Sequence, residues 1–113
     1  MKRILFSALF AVPMAAGAHH GWSEYDSSKT LKLTGKIVEA GYEHPHGFVK
    51  LEAPGKTWHV VLAPPSRMEA RGIAKAKLVP GAEATVEGYA NRSKPEEMRA
   101  ERITLDGKTV ELR

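Results

Sequence analysis

From Leu31 onward the apolar side chains recur at every second position in short runs, and each run is broken by proline or glycine. That period belongs to strands, and no stretch carries the 3.6-residue repeat of a long helix. Leu31, Leu33 and Ile37 share one parity while Lys32, Thr34 and Lys36 share the other, with Gly35 at a bulge or a close backbone approach. His44-Pro45-His46-Gly47 ends this first strand, because proline cannot donate to a ladder. Residues 48–52 form a second strand. After the turn Ala53-Pro54-Gly55-Lys56, residues 57–62 form a third, with Trp58, Val60 and Leu62 on one face.

The pattern then changes. Pro64-Pro65 precedes Ser66, Glu69 follows three positions later as in a capping box, and Gly72 stands where a helix stops. A short helix over 66–71 is expected. Pro80-Gly81 turns the chain into a fourth strand on Ala82, Ala84 and Val86, and residues 91–97 read as a polar loop. A fifth strand covers 99–105, and Asp106-Gly107 turns it into a hairpin with 109–112. Three strands, a helix, then two or three strands is the order of a small five-stranded Greek-key barrel of the oligonucleotide/oligosaccharide-binding (OB) type, mainly β with one short helix between strands three and four. A β-sandwich and an open β-roll are the alternatives. The chain has no cysteine, so a domain of this size must hold together by packing alone, which favours closure.

The first 18 residues, MKRILFSALFAVPMAAGA, read as a secretory signal. Lys2 and Arg3 supply the positive start, residues 4–16 an apolar stretch, and Ala16-Gly17-Ala18 a small-x-small cleavage site. The stretch is too short for a permanent transmembrane helix, and no second one follows. The expected organisation is a cleaved signal over 1–18, a polar N-terminal arm over 19–30 and a β-barrel over 31–113, exported to the periplasm or beyond. Loss of Lys2 and Arg3 takes Lys plus Arg from 17 to 15 against 13 Asp plus Glu, a net charge of about +2 with histidine neutral. The basic residues form no run, so nothing points to nucleic acid as a partner.

All five histidines fall between positions 19 and 59, four of them in two pairs, His19-His20 and His44-x-His46. Cleavage after Ala18 gives His19 a free α-amine beside its own imidazole, and the two nitrogens can chelate one metal as a histidine brace. An α-amine with an ordinary pKa of about 7.7–8.0 yields its proton readily to a metal at neutral pH. Nitrogen-rich tetragonal sets suit Cu(II), and with no thiolate available copper is the expected cofactor. In an extended segment residues i and i+2 point the same way, so His44 and His46 are expected to present two imidazoles together beside Pro45. The candidate ligands are therefore His19, His20, His44 and His46, with Asp26, Glu24 and Glu43 as carboxylates that orient them. His59 alternates against Trp58 and Val60 and reads as a surface or satisfied core residue. Trp22, Tyr25, Tyr42 and Phe48 are candidate binding-surface aromatics, though aromatics in a small barrel usually pack its core. Met68 and Met98 stand alone, which argues against a soft Cu(I) site. No Ser-His-Asp order, paired carboxylates or phosphate loop suggests an enzyme.

Several short motifs occur in a recognisable order: His19-His20 after the signal, Tyr25-Asp26, Leu33-Thr34-Gly35-Lys36-Ile37-Val38, His44-Pro45-His46, Trp58, Arg71-Gly72, and Leu78-x-Pro80-Gly81 before Val86-x-Gly88. With these the chain resembles the DUF6152 family, short exported bacterial proteins of unknown function. The family pattern commonly has asparagine where this chain has His44, and tryptophans near Tyr42 and Phe48. The resemblance thus carries His19, His20 and His46 and leaves His44 as an addition. It implies export and a small β-domain without assigning an activity. The expected function is a copper-binding protein that buffers, transfers or senses the metal; a metal-free binding module for an envelope protein or ligand is the alternative. A copper oxidase or monooxygenase built on the brace is a third class, disfavoured because so small a domain has little surface to shape a substrate. The intact mass of exported protein is expected to match a chain beginning at His19; a mass that retains any signal residue removes the free-amine ligand.

Overall fold

A computed structural model describes residues 21–113 of the 113-residue chain. The signal segment, His19 and His20 lie outside the described residues. Six strands follow in order: β1 (Leu31–Gly41), β2 (Phe48–Ala53), β3 (Lys56–Val61), β4 (Glu83–Ala90), β5 (Glu97–Leu105) and β6 (Lys108–Glu111). One α-helix, α1 (Pro65–Ala70), lies between β3 and β4. The sheet order is β3-β2-β1-β4-β5-β6, and a further pairing of β3 with β5 closes the first five strands into a barrel. The closing ladder is parallel and three residues long, His59–Val61 against Glu97–Arg99, whereas all the other pairings between strands are antiparallel. The result is the expected OB-type barrel.

Two bulges shape it. On β1, Ile37 faces Leu51 while Glu39 faces Lys50, so Val38 is an extra residue. On β5, Arg102 faces Glu87 while Ala100 faces Gly88, so Glu101 is extra. Each extra residue resets the inside-outside alternation. Leu33 and Ile37 thus face the core from odd positions and Ala40 from an even one, while Val38 is left 46% exposed. The same reset lets Met98 and Ala100, then Ile103 and Leu105, all point inward. The sequence places the β1 irregularity at Gly35. The bulge lies at Val38, and Gly35 is the close approach: a Cβ there would sit 2.1 Å from the Glu52 carbonyl oxygen.

The core holds Ile37, Val49, Leu51, Val60, Met98 and Ile103, none with measurable exposure, joined by Met68 of α1 and by Ile73. Complete burial of each such side chain contributes on the order of 1.5–3 kcal/mol. Met68 and Met98 are packing residues. The helix starts differently from the capping-box expectation. Pro64 is the N-cap, Pro65 occupies the first turn, and neither Ser66 nor Glu69 makes a side-chain cap bond. Proline's fixed φ and missing N–H suit that position, so the prolines perform the task assigned to Ser66. The stop is the expected one. Gly72 adopts φ +95°, and the N–H groups of Gly72 and Ile73 donate to the carbonyls of Glu69 and Met68, a Schellman ending that buries Ile73 with Met68.

The end of β6 and the two residues after it are tied down by arginines. Arg67 donates to the Leu112 carbonyl, and Arg71 to those of Glu111 and Arg113, at 2.9–3.1 Å. Occupied carbonyls make a poor template for a second chain.

Gly88 tests the role of close backbone approach. A Cβ there would lie 1.9 Å from the Arg99 carbonyl oxygen, with no side-chain end able to yield. Gly88→Ala is expected to lower stability by at least ~2 kcal/mol in chemical denaturation. An unchanged midpoint shows that the β4–β5 contact is looser than described.

Candidate functional site

The segment read as an arm is part of the barrel wall. Trp22–Glu24 form a single 3-10 turn, and Tyr25 makes an antiparallel bridge to Asn91. The Asp26 N–H donates to the Ala90 carbonyl and the Arg92 N–H to the Glu24 carbonyl, so the segment runs beside the end of β4. Trp22 packs edge-on to Tyr25 and Tyr89, with ring centroids 6.5 and 6.2 Å apart. The guanidinium carbons of Arg99 and Arg113 lie 4.2 and 4.4 Å from its ring centroid. These contacts hold the segment against the mouth of the barrel.

A pocket of about 290 Å³ opens there. Its walls come from the 3-10 turn and Tyr25, from the β1–β2 connection through Glu43 and His46, and from the outer faces of β2, β3 and β5. His59, read as a surface or core residue, lines it too, stacked on Phe48 with centroids 4.8 Å apart. Phe48 and His59 lie on adjacent strands one diagonal step apart, which sets the two rings face to face.

The paired histidines occupy different settings. His46 is half-buried and lines the pocket, whereas His44 is exposed and outside its lining. The chain bends at His44 and Pro45, so the extended-chain expectation that i and i+2 share a side does not apply. Among the proposed carboxylates, Glu24 and Glu43 line the pocket and Asp26 does not. Asp26 Oδ1 accepts from the Ser28 N–H at 3.1 Å and the Ser28 hydroxyl at 2.5 Å, bonds that hold its carboxyl below the ordinary range. Tyr42 belongs to the fold, its hydroxyl donating to the Ile73 carbonyl at 2.6 Å.

Four contributors were not singled out from the sequence: Arg99, Glu97, Asn91 and Lys94. Arg99 Nη2 lies 3.2 Å from His46 Nε2, and the arginine is only 7% exposed. Burial lowers its pKa below the usual guanidinium value, partly offset by nearby Tyr25. On β5 it takes the outward parity, where a charged residue is unremarkable; the wall built by Trp22 and the β1–β2 connection buries it. Glu97 accepts the Tyr25 hydroxyl at 2.5 Å and the Asn91 amide at 3.3 Å. Asn91 in turn accepts the N–H groups of Ser93 and Lys94, both at 2.9 Å, ordering the loop that brings Lys94 to the pocket. Among the described residues no group of three or more His, Asp or Glu side chains stands close enough to hold a metal ion.

Burial, then the hydrogen bond to Glu97 and its charge, raise the Tyr25 pKa above the usual value. A phenol whose folded pKa exceeds the unfolded value of about 10 contributes its full stability below pH 10. That contribution falls as the pH rises past 10, because the unfolded chain ionises first. Denaturation at pH 8 and pH 11 is expected to show this loss, and Tyr25→Phe to shrink it. An equal loss in the variant assigns the pH dependence elsewhere.

Comparison with solved structures supports the barrel. The chain resembles the S. pombe Stn1-Ten1 complex with a TM-score of 0.54 at 17% identity, over 67% of this chain and 57% of that one. It also resembles asparaginyl-tRNA synthetase from Pyrococcus horikoshii, complexed with asparaginyl-adenylate, with a TM-score of 0.53 at 17% identity over 69% and 19% of the two chains. A ZRD-deleted mutant of TiaS in complex with agmatine gives 0.53 at 18% identity over 78% and 25%. The chain thus spans little more than half of the first of these and a quarter or less of the others, and the shared feature is the OB barrel. No curated protein sequence matches the chain. A family model described as a family of unknown function matches residues 8–99, and the chain belongs to that family, DUF6152.

Proposed function

We propose that this is an exported copper-binding domain in which His46 supplies the barrel's ligand and His19, through its amine and ring, supplies the N-terminal ones, with His20 or His44 completing the set. The observation that carries this reading is the path of the N-terminal segment. Glu24 and Tyr25 form one wall of the pocket that His46 lines. The four residues from Glu24 back to His20 span at most roughly 14 Å. That reach allows a mature N-terminus beginning at His19 to come to the pocket that His46 lines.

The chemistry supports copper over harder cations. An amine and several imidazoles make a nitrogen-rich set, and Cu(II) tops the divalent affinity order on such ligands. Glu24, Glu43 and Glu97 around the pocket offset the positive charges of Arg99 and Lys94. Bound copper would be buffered, handed on or sensed in the periplasm.

Titration of Cu(II) into the mature chain tests the reading against two variants, one with a single extra residue before His19 and one with His46→Ala. Each is expected to weaken binding by about tenfold or more. Equal affinity in all three contradicts a site shared by the N-terminus and the barrel. No binding in any of them favours the metal-free module.

A further inference from the structure

A guanidinium has five N–H donors and no acceptor. The 3.2 Å contact between Arg99 Nη2 and His46 Nε2 therefore makes Nε2 the lone-pair nitrogen and puts the ring proton on Nδ1. A neutral imidazole offers one in-plane lone pair to a metal. At Nε2 a metal and Arg99 compete for the same pair. Coordination at Nδ1 requires the proton to move to Nε2, which would then face a donor. Either way the Arg99–His46 hydrogen bond must break. Arg99 is also held in place: it is nearly buried, and its guanidinium lies over Trp22, itself packed between the rings of Tyr25 and Tyr89.

Building on the copper reading, we propose that Arg99 sets the metal affinity of the site by occupying the His46 lone pair in the metal-free protein. Loading displaces the guanidinium from His46, and its return to the ring assists release. Its positive charge opposes a cation at the same place, so removing Arg99 turns an exchanging site into a retaining one. Among buffering, sensing and transfer, this arrangement suits transfer.

Arg99→Met keeps an apolar stem against Trp22 and removes both donor and charge. Arg99→Lys keeps the charge but loses the planar fork, and serves as the second variant should Arg99→Met fold poorly by circular dichroism. The first readout needs no metal. Diethyl pyrocarbonate attacks the imidazole lone pair, and mass spectrometry of the full mature chain reports each histidine separately. In the native protein His46 is expected to react about tenfold more slowly than exposed His44, a ratio that collapses to a few-fold in Arg99→Met and part of the way in Arg99→Lys. The second readout is Cu(II) competition titration, in which Arg99→Met is expected to bind about tenfold more tightly. Adding His46→Ala to Arg99→Met is expected to abolish that gain. Unchanged His46 reactivity, or copper affinity that is unchanged or weaker in both folded variants, overturns the role of Arg99. Released His46 reactivity with no copper bound by the native chain or either variant overturns the copper reading and leaves the lone-pair contact standing.

Discussion

Three residues of parallel ladder, His59–Val61 against Glu97–Arg99, close the barrel, and the candidate site exists because of them. Without that pairing β3 is one edge of an open sheet and β5 lies four strands away, and His59 has no reason to meet Glu97 and Arg99. With it, the outward parity of β3 and β5 becomes a pocket wall. The His59 N–H donates to the Glu96 carbonyl at 2.8 Å, fixing the start of the ladder beside the loop that Asn91 orders. Closure and site formation are one event.

Closure also answers how a domain of this size can do without disulfides. A closed sheet leaves few backbone groups unpaired, and Arg67 of α1 and its C-cap Arg71 hold the C-terminal end of β6 and the residues after it. The helix and its C-cap therefore have two tasks, burying Met68 in the core and directing the Arg67 and Arg71 guanidinium groups at the end of the chain after β6. Its Schellman ending sets the direction in which the chain leaves. The N-terminal segment seals the mouth by the same kinds of force, with a bridge to Asn91, an aromatic cluster and arginine stacking.

The barrel was legible because each strand carries its own alternation and each turn its own glycine or proline. The strand order followed from the helix between β3 and β4. Local pattern said less about the bulges. Val38 and Glu101 look like ordinary strand residues, and only the pairing across the sheet shows that each is one residue too many. Of the candidate site, His46, Glu24 and Glu43 were legible as chemistry, and the pocket gathers them. Arg99 was not, because an arginine on the outward parity of a strand carries no local sign of burial. Tyr25 stood out as an aromatic and in the Tyr25-Asp26 motif, without a partner; its partly buried bond to Glu97 spans 72 positions of sequence. Contacts of that range are set by topology and leave no trace in spacing.

The central claim is that one metal ion draws nitrogen from both the mature N-terminus and His46. Electron paramagnetic resonance of the mature chain with one equivalent of Cu(II) addresses it directly, because nitrogen hyperfine splitting counts the nitrogens on the copper. A shared site predicts that His46→Ala removes one nitrogen from the pattern while the remaining nitrogens persist. Identical spectra from the two proteins would contradict it, leaving His46 and Arg99 as a metal-free pair in the wall of the barrel.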